Sequence, residues 1–174
     1  GGAQMGVSYQ DFIANNLASE HPLPYTAVAA IIQHNLSGIM SRKDDGITRP
    51  REMQNHTYAT WNLPVEQATV KSVVQTDGGD PESIKMVPYE VDDEVSGLKA
   101  NMFDTVWVYE QWAVQNAEVQ GFPYNYFSFQ SIDPVFDIYT PVIAANDAYM
   151  KDNPEAVKGF LAAVKEGYEY AVSN

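Results

Sequence analysis

No cysteine occurs in the 174 residues. Zinc–thiolate centres, thiol nucleophiles and disulfide frameworks are excluded together, while the redox compartment stays open, because an oxidising space permits disulfides without requiring them. Basic side chains are scarce: ten Lys and Arg face 23 Asp and Glu, for a formal net charge of −13. A surface of that sign repels polyanions, so nucleic acid is not an expected partner. No apolar run approaches the roughly 20 residues that cross a bilayer, and no N-terminal signal pattern is visible. The histidines His21, His34 and His56 have no H-E-x-x-H spacing, and neither a Gly-x-Ser-x-Gly elbow nor a phosphate-binding loop occurs. Asp77-Gly78-Gly79-Asp80 lacks the alternating ligands and distal Glu of a calcium loop. No metal and no cofactor are expected.

What remains is a globular composition, 45% hydrophobic and 19% charged, in a chain long enough for one substantial core. Its organising stretch is Phe103 to Trp112. Thr105-Val106-Trp107-Val108-Tyr109 has the β-branched and aromatic make-up of a buried strand, and Trp112, Ala113, Asn116 and Ala117 are spaced as one helix face. Glu110 therefore falls at a strand-to-helix junction. In open α/β sheets the carboxyl ends of strands and the N-termini of helices border the ligand crevice. An acid there also has a plainer reading, as a first-turn residue favoured by the helix dipole.

Elsewhere, Val7-Ser8-Tyr9 reads as a strand end before a helix, with Ser8 and Asp11 at capping-box spacing. Tyr25 to Ile32 has the continuous apolar character of a strand buried on both faces. Ile39 to Arg42 extends outward to a turn at Lys43-Asp44-Asp45-Gly46, which suggests a crossover between lobes. Thr57 to Trp61 is a strand, and Pro64 opens a helix with Val65, Thr69, Val70, Val73 and Val74 inward, so Trp61 and Asn62 occupy a second strand-to-helix junction. Asp92, Asp93 and Glu94 crowd the start of a helix reaching Ala100, as its dipole favours. Asn125 to Phe129 and Val142 to Ala145 are further strands, and Asn153-Pro154-Glu155 starts a terminal helix. The alternation of strands and helices from Thr57 to Phe129 gives an α/β class with a parallel or mixed sheet.

Several of these segments together resemble the NMT1/THI5-like substrate-binding proteins of ABC transporters. They are Gly6-Val7-Ser8-Tyr9-Gln10, Val28 to Asn35, Ser41 to Ile47, Thr60-Trp61-Asn62-Leu63-Pro64-Val65-Glu66, Trp107-Val108-Tyr109-Glu110, Asp137 to Val142, and Asn153 to Ala171. The likeness runs in order over essentially the whole chain. It implies a type II periplasmic-binding fold, with two lobes of mixed sheet that close on a ligand by hinge motion. Lobe 1 would take residues 1–43 and 138–174, lobe 2 residues 46–136, with crossovers near 44–45 and 137. Family members run to roughly twice this length, a size usual for two-domain chains, so the resemblance implies a fragment whose first lobe is incomplete.

The function it implies is an extracytoplasmic receptor for a bacterial ABC importer, free in the periplasm or anchored as a lipoprotein, with a membrane permease as partner. The expected ligand is a pyrimidine precursor of thiamine, such as formyl-aminomethyl-aminopyrimidine, held in an interlobe cleft; riboflavin or another small organic solute is the alternative. A carboxylate can accept from both the exocyclic amine and an adjacent protonated ring nitrogen, a charge-assisted pair. Glu110 is the candidate for that group, Trp61 or Tyr109 for the stacking wall, Asn62 and Ser8 for neutral polar contacts, and Tyr139 for a contact near the return crossover. Tyr124 and Asp137 are lesser candidates, and Trp107 and Trp112 are assigned to the core. Catalysis is not expected: the related pyrimidine synthases carry a cysteine-rich signature this chain cannot have, and Glu66 with Glu110 as a hydrolytic acid pair is only two acids at helix starts.

Overall fold

The computed structural model describes residues 2–89 and 93–174. Along the chain come β1 (Met5–Ser8), α1 (Gln10–Leu17), β2 (Tyr25–Ala30), β3 (Ser37–Arg42), β4 (Thr57–Thr60), α2 (Pro64–Thr76), β5 (Lys85–Pro88) and α3 (Glu94–Lys99). They are followed by β6 (Thr105–Tyr109), α4 (Gln115–Val119), β7 (Tyr124–Ser128), α5 (Phe129–Ile132), β8 (Val142–Asn146), α6 (Asp147–Asp152) and α7 (Pro154–Ser173). The chain divides into two units, Gly1–Gln33 with Ile138–Asn174, and His34–Asp137. Both are α/β, and the second carries a mixed sheet.

In the first unit β8 runs antiparallel between β1 and β2. Two sequence expectations change here. Tyr25–Ala30 is not covered on both faces: β2 is an outer strand, and Thr26, Ala27 and Ala30 are exposed. Ser8 does not cap α1, because it is still strand, paired with Val142, and the helix is preceded by Tyr9 without a side-chain cap. The long helix α7 starts at Pro154 as its missing N–H allows, and Val157 is its buried anchor.

The second unit is a five-stranded sheet in the order β5-β4-β6-β3-β7. β4 is parallel to β5 and β6, and β3 runs antiparallel between β6 and β7. Strand alternation sorts the core into two layers. Ile39, Tyr58, Trp107 and Phe127 pack with Val70, Val73 and Val74 of α2. Met40, Ala59, Val106 and Val108 pack on the other face with Val95 and Leu98 of α3 and with Ala113, Val114 and Ala117.

The interior strand β3 lies in this sheet, whereas the resemblance carries lobe 1 on to residue 43. Ser37 to Ser41 are all buried, and Gly38 is what permits the insertion: a Cβ on it would stand 2.1 Å from the Phe127 carbonyl oxygen. Trp112 also leaves its expected layer. The apolar face is centred on Ala113, Val114 and Ala117, so Trp112 falls on the far side and is 73% exposed. Of the acids at the start of α3, Asp93 caps the helix, its carboxylate accepting from Val95 N at 3.1 Å and Ser96 Oγ at 2.5 Å. Asp92 lies outside the described residues.

Candidate functional site

The pairing of the second sheet brings the ends of β4, β6 and β7 and the start of β3 to one edge. Trp61 and Asn62 follow β4, Tyr109 closes β6 with Glu110 directly after it, and Leu36 leads into β3. Four of the six site residues expected from the sequence thus gather at one end of one sheet. Ser8, half-buried at the end of β1, and Tyr139, 53% exposed with its N–H donating to Gln10 Oε1 at 2.7 Å, belong to the first unit.

The loop carrying Trp61 and Asn62 is built around Glu66. Its buried carboxylate accepts from Tyr58 Oη at 2.5 Å, Thr60 Oγ1 at 2.9 Å, Leu63 N at 3.3 Å and Trp61 N at 3.4 Å. Burial first, and then the Glu66 charge, hold the Tyr58 phenol well above its ordinary pKa, so it remains a donor. Thr60 Oγ1 in turn accepts from the Asn62 N–H at 3.0 Å. Asn62 itself has φ of 59°, a left-handed conformation that Asn tolerates better than most residues, and its side chain is exposed. Trp61 is half-buried and leans on Trp107, centroids 5.9 Å apart, which meets Phe129 edge-on at 4.4 Å. It is the outermost ring of an aromatic column rooted in the core.

Glu110 opens a π-helical turn, Glu110–Val114, that precedes α4; such turns recur at functional sites. It is half-buried, and its N–H donates to the Leu36 carbonyl at 2.8 Å. Its negative charge helps to raise the phenols of Tyr126 and Tyr124 on β7, after burial for Tyr126 and after the Glu118 hydrogen bond for Tyr124, which is pushed up to about 12. Those two rings pack on the α4 face of the sheet, whereas Trp61 and Tyr109 pack with the core on the α2 face. Trp61 and Tyr109 therefore lie on the face of the sheet opposite Tyr124 and Tyr126.

Of the lesser candidates, Tyr124 is committed to Glu118, 2.5 Å from its hydroxyl. Asp137 is a brace: it lies 3.0 Å from His34 Nδ1 and accepts the Asn35 N–H at 3.0 Å, and these bonds lower its pKa. Sequence reasoning missed Tyr126, although the alternation Tyr124, Tyr126, Ser128 along β7 signals one shared face. It also treated Glu66 as an ordinary helix-start acid; the signal was Thr60 and Tyr58 at the end of the preceding strand. Among the described residues, no group of three or more His, Cys, Asp or Glu could hold a metal. A hollow of about 640 Å³ belongs to the first unit, lined by Met5, Val7, Ile143, Phe160, Val164 and Tyr168.

The fold, with its mixed sheet and inserted antiparallel strand, is shared with solved periplasmic solute-binding proteins. The periplasmic aliphatic sulphonate binding protein SsuA from Escherichia coli matches with a TM-score of 0.70 at 14% identity, over 95% of this chain and 55% of SsuA. The chain belongs to the NMT1/THI5-like family, whose model matches residues 1–174. The formylaminopyrimidine-binding protein of Halalkalibacterium halodurans is 25% identical over 100% of this chain and 52% of its own length, so the chain spans about half of that curated relative. The desulfurization enzyme DSZB shares the fold with a TM-score of 0.57 at 11% identity, over 88% of this chain and 58% of the enzyme. Fold alone therefore does not separate binding from catalysis.

Proposed function

We propose that this chain is part of an extracytoplasmic solute receptor for an ABC importer, and that its ligand is an aminopyrimidine of the thiamine-precursor type. The observation that carries the proposal is Glu110, a half-buried acid at the same sheet end as Trp61. A protonated aminopyrimidine offers a carboxylate two parallel N–H donors, and partial burial strengthens such charge-assisted bonds by excluding water. Trp61 and Tyr109 supply ring faces; a cation beside a desolvated ring gains about 0.5 to 2 kcal/mol. Asn62 supplies a neutral amide. The proposal rests on the second unit; Ser8 and Tyr139 remain expectations from the sequence.

The name of the Halalkalibacterium halodurans relative supports this ligand class, and the family supports a receptor working with a membrane permease outside the cytoplasmic membrane. Binding rather than catalysis is favoured by the state of the second helix-start acid. Glu66 is occupied by four donors and is not available to work with Glu110.

The test is a tryptophan-fluorescence titration with formyl-aminomethyl-aminopyrimidine, its deformylated relative and riboflavin, repeated with Glu110→Gln. Saturable binding of a pyrimidine, weakened at least tenfold in the variant, about 1.4 kcal/mol, is the expected result. Binding of riboflavin alone, or of none of the three, rejects the aminopyrimidine reading; a pyrimidine bound as tightly by the variant as by the parent rejects the role of Glu110.

A further inference from the structure

Tyr126 is a residue that no sequence expectation covers, and its position is unusual. On β7 it stands opposite Met40 of β3. Its hydroxyl nevertheless donates to the Leu36 carbonyl, 3.1 Å away and beyond the start of β3. To reach it, the ring must lie along β3 over Gly38, and a Cβ on Gly38 would be 2.8 Å from Tyr126 Cε2. The missing side chain at Gly38 is therefore the channel along which the phenol extends.

The Leu36 carbonyl also accepts the N–H of Glu110, at 2.8 Å. A carbonyl oxygen has two lone pairs, and here one is taken by each neighbouring strand segment. The Glu110 N–H is one of the donors at a helix start that find no partner within the helix, so this bond orients the turn. The Tyr126 ring is half-buried, and its phenol stays protonated because burial, and then the Glu110 charge, push its pKa up. It can serve only as a donor to Leu36. The connecting segment is held from its other side as well: the buried Asn35 donates through Nδ2 to the Phe136 carbonyl at 2.8 Å and accepts from Ser37 N and Oγ at 2.9 and 2.6 Å. Asn35 and Ser37 thus fix the residues on either side, and the Tyr126 hydroxyl adds the hold on the Leu36 carbonyl itself.

We infer that Tyr126 is a positioning residue for Glu110, acting through the Leu36 carbonyl to hold the turn from which Glu110 presents its carboxylate. That this carboxylate meets an aminopyrimidine rests on the function proposed above; the positioning does not.

Tyr126→Phe tests both halves, because it keeps the ring over Gly38 and removes only the hydroxyl. Hydrogen exchange of the ligand-free protein reads the positioning. Protection of the Glu110 amide is expected to fall roughly tenfold while amides in the middle of β6 keep theirs. Unchanged protection at Glu110, or a uniform loss along β6, overturns the inference. Titration with the formyl-aminopyrimidine reads the consequence in a double-mutant cycle. Tyr126→Phe is expected to weaken binding about tenfold in the parent and to have no further effect once Glu110 is Gln. An equal loss in both backgrounds overturns the route through Glu110. If the parent binds no aminopyrimidine, the ligand reading falls, and the exchange result alone decides the positioning.

Discussion

The four bonds to Glu66 explain why an acid is buried at the start of α2. The hydroxyls of Tyr58 and Thr60, both buried, would otherwise lose a partner where water is excluded, at about 1–3 kcal/mol apiece. Glu66→Ala is therefore expected to destabilise the second unit by roughly 3 kcal/mol or more, read as a lower urea midpoint. The same variant should loosen the Trp61–Asn62 loop, whose backbone hangs from Glu66 and Thr60. If Glu66→Ala is as stable as the parent, the network is not what holds the loop. This residue also shows where sequence reading stops. Proline at the first helical position and an acid in the first turn were legible at Pro64 and Glu66. That the acid turns inward depends on Tyr58 and Thr60, on a strand whose side-chain directions follow from its pairing with β5 and β6.

Among elements, β3 decides how the second unit is arranged. It is the antiparallel strand between two parallel neighbours, and both its faces are covered. Gly38→Ala puts a methyl group 2.1 Å from a backbone oxygen that belongs to the adjacent strand and cannot swing aside. The expected outcome is a loss beyond the usual overpacking cost of about 1–3 kcal/mol, seen as a chain largely unfolded by circular dichroism at room temperature. A folded, cooperative Gly38→Ala protein would mean that β7 can separate from β3. The aromatic and β-branched run of β6 and the valines of α2 were readable as elements from local pattern. The membership of β3 was not, because strand pairing joins Ser37–Arg42 to residues more than a whole helix away, and nothing in Gly38-Ile39-Met40-Ser41 specifies its partner.

For the molecule as a whole, the excess of acids makes stability depend on how individual carboxylates are paired. Asp77 is held below its ordinary pKa, first by its hydrogen bonds from the Arg49 guanidinium and also by the Arg51 N–H. Asp104 is lowered too: burial pushes it up, but bonds from Thr57 and Arg42 outweigh that. A carboxyl with a depressed folded pKa contributes stability above its unfolded value, about 3.9 for Asp, and loses that contribution as pH falls through the folded value. Asp77→Asn should therefore be less stable than the parent at pH 7, with the gap closing below about pH 4; thermal melts across pH 2.5–7 check it, and a gap that widens in acid contradicts it. Asp11 and Glu94, raised by burial, act in the opposite sense. The amino-acid sequence by itself determined the α/β class, the helix starts at Pro64 and Pro154, the lack of thiol chemistry and the strand-to-helix junctions at Trp61–Asn62 and Glu110, because caps, periodicity and composition act over a few residues. Only the tertiary structure decided that β3 enters the second sheet, that Trp112 faces solvent, that Glu66 is buried and that Tyr126 reaches Leu36, because those outcomes depend on which distant strands pair and on the space one glycine leaves between them.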